Sequence, residues 1–121
     1  MSSFFDAGSV APLQIWEGLI GRTVHSERVT MTLIEIEPGT VVPQHSHDNE
    51  QLGLLIEGSL EFTIGDETKM FGPGGMWRIL ANVPHSVVTG PEGAVLIEVF
   101  SPVRDDWGSL EVLEPRPPRW P

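Results

Sequence analysis

No cysteine occurs among the 121 residues of this chain, so a disulfide framework and a Cys-type zinc site are both excluded. Any metal site must be assembled from histidine, carboxylate and amide groups. Basic side chains are scarce as well. Seven lysines and arginines stand against 17 aspartates and glutamates, a formal charge of −10. That balance repels nucleic-acid phosphates, so no nucleic-acid partner is expected. It also narrows the groups that can meet an anionic ligand to Arg22, Arg28, Lys69, Arg78, Arg104, Arg116 and Arg119. No apolar run approaches the length of a membrane span, and the N-terminus lacks the basic-then-apolar pattern of a signal peptide. No membrane partner is expected, and the expected location is cytoplasmic.

Long stretches with the 3.6-residue apolar period of a helix are also missing. Instead, 13 glycines and 11 prolines punctuate short runs of strand-forming residues. Leu13 to Ile20 alternates weakly and predicts a first strand. Further strands are expected over Arg28 to Glu37, Leu52 to Glu57, Ser59 to Ile64, Glu67 to Phe71, Met76 to Leu80, His85 to Thr89 and Ala94 to Phe100. Turn signals separate them at Pro38-Gly39, Gly65-Asp66, 72–75, Ala81 to Pro84 and Gly90 to Gly93. Many short strands at this spacing indicate an all-β sandwich or barrel. Length and the absence of a linker predict one domain over 1–121, with a barrel core at about 28–100. An N-terminal arm over 1–12 and a Pro-rich extended tail over 108–121 complete it.

The stretch Gly39 to Gly58, GTVVPQHSHDNEQLGLLIEG, concentrates the chemistry. His45, His47 and Gln51 have equal parity, so in an extended chain they share a face and converge. Imidazole nitrogen and amide oxygen are both ligands for first-row divalent ions. Glu50 is the rival to Gln51, but its parity turns it to the other face. Farther on, Glu98 interrupts an apolar run with Leu96 and Phe100 on its own face. A carboxylate there is either a solvated outward group or a functional group in a cavity. Arg104 stands beside Asp105 and Asp106, so it is either one half of a surface ion pair or a fork for a ligand carboxylate. Phe100 is core or an apolar wall, Arg78 is a second candidate anion contact, and His25 reads as a surface histidine.

The spacing Gly39-x5-His45-x-His47-x3-Gln51-x6-Gly58 resembles the first motif of the cupins, G-x5-H-x-H-x3,4-E-x6-G. The run PGGMWRILANVPH at 73–85 resembles their second motif, with Pro73-Gly74 at its turn and His85 at its metal-binding histidine. The resemblance implies an antiparallel jelly-roll β-barrel of the double-stranded β-helix type. It also implies one divalent transition metal ion (Zn, Ni, Fe, Mn or Cu) on His45, His47, Gln51 and His85. Gln51 stands where most cupins have Glu, and Gly75 where they usually have Asp. A neutral ligand in place of a carboxylate leaves the ion more positive and a stronger Lewis acid.

HSHDNEQ, NVPHSV and EVFSPVRDDW together resemble the pectin-degradation (KdgF-type) cupins, which help convert 4,5-unsaturated monouronates to 5-keto-4-deoxyuronate. By that resemblance Glu98, Phe100 and Arg104 line the pocket, with Glu98 where the subgroup has Asp. The resemblance implies an isomerase-type metalloenzyme of carbohydrate metabolism acting on a small anionic sugar. In it Glu98 moves protons and Arg104, with Phe100, binds the substrate; Arg78, from the residues alone, is a further candidate substrate contact. Two alternatives stand beside it: a dioxygenase-like cupin using a redox metal, and a non-catalytic sugar- or metabolite-binding module. A homodimer is expected, since cupins commonly pair and strand edges need covering.

Overall fold

Alternating burial shows how the strands are set. From Thr30 to Ile36, Thr30, Thr32, Ile34 and Ile36 are buried while Met31 faces solvent, the period-two pattern of a strand with one face on a core. The computed structural model describes residues 2–121. Its strands are β1 (Leu13–Trp16), β2 (Leu19–His25), β3 (Thr30–Ile36), β4 (Val41–His45), β5 (Glu50–Ile64), β6 (Glu67–Phe71), β7 (Met76–Ile79) and β8 (His85–Ser101). Short 3₁₀ turns span Ala7–Ser9 and Asp105–Ser109. No helix among the described residues is long and apolar enough to cross a membrane.

Every pairing is antiparallel, and the two long strands β5 and β8 run side by side from Glu50↔Ser101 to Ile64↔His85. Each changes its outer neighbour halfway. The Ala94–Phe100 part of β8 pairs with β3, and the part near His85 pairs with β4. Likewise β5 carries β7 along Gln51–Leu54 and β6 along Leu60–Ile64. The eight strands form one hydrogen-bonded sheet, which these changes of neighbour divide into two halves that act as facing sheets, β1-β2-β3-β8-β5-β7 and β4-β8-β5-β6. Ile34, Ile36, Leu55 and Leu96 from the first share one apolar cluster with Val42, Leu60, Phe62 and Val87 from the second. This is an all-β antiparallel jelly roll.

The strands bend between sheets at Gly58, where the β5–β8 register slips. Gly58 has φ +86, and a Cβ there would lie 1.9 Å from the Gly93 carbonyl oxygen. Only a residue without a side chain allows the backbones to pass so closely.

Several expected boundaries are corrected. Leu13 to Ile20 is not one strand, because Glu17-Gly18 turns the chain between β1 and β2. Leu52 to Glu57 and Ser59 to Ile64 are one bent strand, and so are His85 to Thr89 and Ala94 to Phe100. The Gly90 to Gly93 turn signal marks a bend within β8. Strands β1 and β2 add to the larger sheet ahead of the expected 28–100 core. The tail is pinned: Gln14 N–H donates to the Glu111 carbonyl at 3.0 Å, and Leu113 N–H to that of Pro12 at 2.8 Å. Buried Arg22 donates to the Glu35 carboxylate at 2.6 Å and to the Arg116 carbonyl at 2.9 Å.

Candidate metal centre

His45 ends β4 and pairs across the ladder with His85, the first residue of β8. His47 follows in the loop between β4 and β5, and Gln51 is the second residue of β5. The chain is not extended across 46–49, so strand parity does not bring these residues together. A bend before β5 folds His47 back toward the other two. The ligand atoms of His45, His47 and His85 lie within 4.8 Å of one another.

Each imidazole has a defined tautomer. Nδ1 of His45, His47 and His85 meets the carbonyl oxygens of Pro43, Asn49 and Val83 at 2.8, 2.9 and 2.8 Å. A carbonyl only accepts, so Nδ1 carries the proton and Nε2 presents a lone pair. Burial pushes the His85 pKa down to about 4, with His45, His47 and Arg104 adding to the effect. Burial and then Arg104 hold His47 below its ordinary value. Both rings are thus neutral near pH 7. His85 Nε2 is buried with no hydrogen-bond partner, and His47 Nε2 points at Gln51 Oε1, another acceptor, 3.1 Å away. Lone pairs gathered without a donor are what a divalent cation satisfies, and the N,O donor set suits a first-row ion. The residues fit a metal.

Gln51 joins this cluster to a buried carboxyl group. Its Nε2 donates to Glu98 Oε2, which also accepts from the Trp77 indole N–H at 2.9 Å. Glu98 is 7% exposed. Burial lifts its pKa from 4.5 to about 7, against the smaller opposing pull of those two hydrogen bonds and of Arg104. A group with that pKa exchanges protons readily near neutrality.

Arg104 follows β8. Its Nε and Nη2 donate to the two carboxylate oxygens of Asp106, both at 3.1 Å. Its guanidinium lies 4.9 Å from the Phe100 ring centre and 4.6 Å from that of Trp107, within cation–π range. Asn49 braces the segment, its side-chain amide donating to the Pro102 carbonyl at 2.6 Å. The ion pair considered from sequence exists, and the same arginine lines the pocket.

That pocket has a volume of about 240 Å³ and is lined by the three histidines, Gln51, Glu98, Phe100, Arg104, Asp106 and Trp107. Ile34, Leu60, Phe62 and Leu96 line its apolar depth. Of the residues singled out from sequence, the structure gathers His45, His47, Gln51, His85, Glu98, Phe100 and Arg104. It leaves out Arg78, which is exposed on β7 between inward-facing Trp77 and Ile79. Glu50 is exposed and His25 lies on the surface, as their positions in the sequence suggested. Trp77, Asp106 and Trp107 were not foreseen. Parity with buried Ile79 was the available signal for Trp77.

Residues 32–100 match the family model for the Cupin domain. The pectin degradation protein KdgF of Dickeya dadantii (strain 3937) is 32% identical over 83 residues, 68% of this chain and 76% of that protein. An RmlC-like cupin from Shewanella frigidimarina NCIMB 400 superposes with TM-score 0.81 at 23% identity, covering 88% of this chain and 96% of that one. KdgF from Halomonas sp. superposes with TM-score 0.79 at 23% identity, covering 88% and 98%. At such identity the two structural likenesses speak for the fold.

Proposed function

Because the chain belongs to the cupin family, we propose that it is a metal-dependent isomerase. It opens 4,5-unsaturated monouronates and carries them to 5-keto-4-deoxyuronate, in the breakdown of pectin-type sugar acids. One observation carries the reading: a buried carboxyl group, Glu98, lines the same pocket as three convergent imidazoles and an arginine. The similarity to a pectin degradation protein supports the substrate class.

A divalent ion on His45, His47, Gln51 and His85 supplies Lewis-acid polarisation of a substrate oxygen. The chain's own groups do the rest. Arg104, held by Asp106 and stacked against Phe100 and Trp107, takes the uronate carboxylate. Glu98 accepts the proton of the anomeric hydroxyl as the ring C–O bond breaks, and the ring oxygen leaves as an enolate. Glu98 then delivers that same proton to the neighbouring carbon as the enolate becomes the ketone. Nothing is oxidised and no atom is lost.

Unsaturated galacturonate or mannuronate, mixed with metal-loaded protein, loses its conjugated ultraviolet absorbance faster than without protein. Equal rates overturn the proposal. A homodimer is part of the same reading, and sedimentation as a 13.3 kDa monomer would count against it.

A further inference from the structure

Three strands place three residues in one row. Gly53 on β5 faces Trp77 on β7 and Glu98 on β8. A Cβ at Gly53 would sit 2.0 Å from the Trp77 ring, so the indole occupies the space that a side chain in the middle strand would fill. That vacancy lets a residue two strands away reach the Glu98 carboxyl group, and the indole N–H donates to Oε2 at 2.9 Å. The Gln51 amide donates to the same oxygen. With Oε2 committed twice, Oε1 is left without a protein partner, yet it is not among the buried unpartnered atoms. It therefore faces the pocket.

We propose that Trp77 is a positioning residue that fixes which oxygen of Glu98 meets the substrate, and that Gly53 is the gap through which it acts. An indole N–H donates and never accepts. A proton on Oε2 would find no acceptor in either of its two neighbours, so the proton that moves is assigned to Oε1. Gln51 receives the same discipline, because its N–H is held on Glu98 while its oxygen faces the histidines. Trp77 thus also orients the amide of the metal cluster without touching an ion. This deepens the uronate reading, and its kinetic arm rests on that reading.

The structural arm needs no substrate. In a nitrogen-15–proton correlation spectrum of the metal-free protein, the four tryptophans give indole signals, and Trp77→Phe identifies one by its loss. That signal is expected downfield, with slow exchange against deuterium in the unmutated protein, and upfield in both Glu98→Ala and Gly53→Ala. Rapid exchange in the unmutated protein, or an unchanged position in the variants that fold, overturns the proposal. In the kinetic arm, Trp77→Phe keeps an aromatic ring but no donor. It is expected to lower kcat roughly 10–100-fold at little cost in KM, with bound metal retained. A kcat within about twofold of the parent overturns the positioning role. Should the parent itself leave uronates untouched, the uronate reading fails, while the indole spectrum still decides the positioning.

Discussion

His47 Nε2 and Gln51 Oε1 stand 3.1 Å apart, and neither has a hydrogen to offer the other. His47 spends its proton on the Asn49 carbonyl, and Gln51 spends its N–H on Glu98. His85 adds a third acceptor, buried and unpartnered. Protein prepared without chelator is therefore expected to hold about one divalent ion per chain, measured by elemental analysis, and His85→Ala to lose it. Adding ion at 100 times its Kd stabilises the fold by about 2.7 kcal/mol. A thermal midpoint indifferent to chelator would count against the site.

Glu98 makes the metal-free protein's stability depend on pH in a sense opposite to an ordinary paired carboxylate. Its folded pKa is raised to about 7 from 4.5, so between those values the native state keeps a proton that the unfolded chain has released. The stability of neutral Glu98 is full below pH 4.5 and is lost as pH rises through 7. His85, pushed from 6.5 down to about 4, contributes in the other direction over its own window. Comparing Glu98→Gln with the parent isolates the first effect. Between about pH 5 and about pH 8 the variant should gain on the parent by roughly 2–3 kcal/mol in urea unfolding. A constant gap between the two proteins would refute the buried, protonatable carboxyl.

Much of this was written locally. Thr30 to Ile36 alternates, the glycines and prolines mark most bends, and the parity of Gln51 against Glu50 does decide which turns inward. The convergence of His45 and His47 was foreseen for the wrong reason, since a bend rather than an extended chain delivers it. What stayed hidden depends on register between distant strands. The Trp77–Gly53–Glu98 row exists only because β7, β5 and β8 pair as they do, and no spacing along the chain encodes that. Arg78 errs in the opposite sense: it is expected as an anion contact, although the apolar Trp77 and Ile79 on either side of it mark the inward face and turn it to solvent.

Arg104 presents only one edge to Asp106, through Nε and Nη2. Among the described residues no protein group takes its Nη1, so the second edge remains for a ligand carboxylate. Arg104→Lys keeps the charge but loses the fork, at a cost of about 1.5–3 kcal/mol for a charge-assisted contact. KM for a uronate should rise by roughly 10–100-fold, with a smaller change in kcat. Asp106→Asn should give a weaker version of the same pattern, since Arg104 holds the Asp106 carboxyl below its ordinary pKa and is oriented by it in return. Steady-state kinetics on both variants decides the matter, and an unchanged KM in Arg104→Lys removes Arg104 from substrate binding.

The two glycines that bracket the histidine stretch should respond very differently to the same substitution. Gly39 has φ +66 with no atom within 4 Å of an added Cβ, whereas Gly58 has φ +86 and meets the Gly93 carbonyl oxygen at 1.9 Å. Gly39→Ala therefore carries only the left-handed backbone cost, roughly 1–2 kcal/mol. Gly58→Ala adds a clash between backbones at the bend where β5 and β8 pass from sheet to sheet, and neither strand can yield without shifting its ladder. Its total cost is expected at roughly 3–5 kcal/mol. For a domain of this size the difference amounts to a thermal midpoint lower by roughly 5–15 °C in Gly58→Ala than in Gly39→Ala. Equal midpoints would mean that the bend is held by something other than the close passage at Gly58.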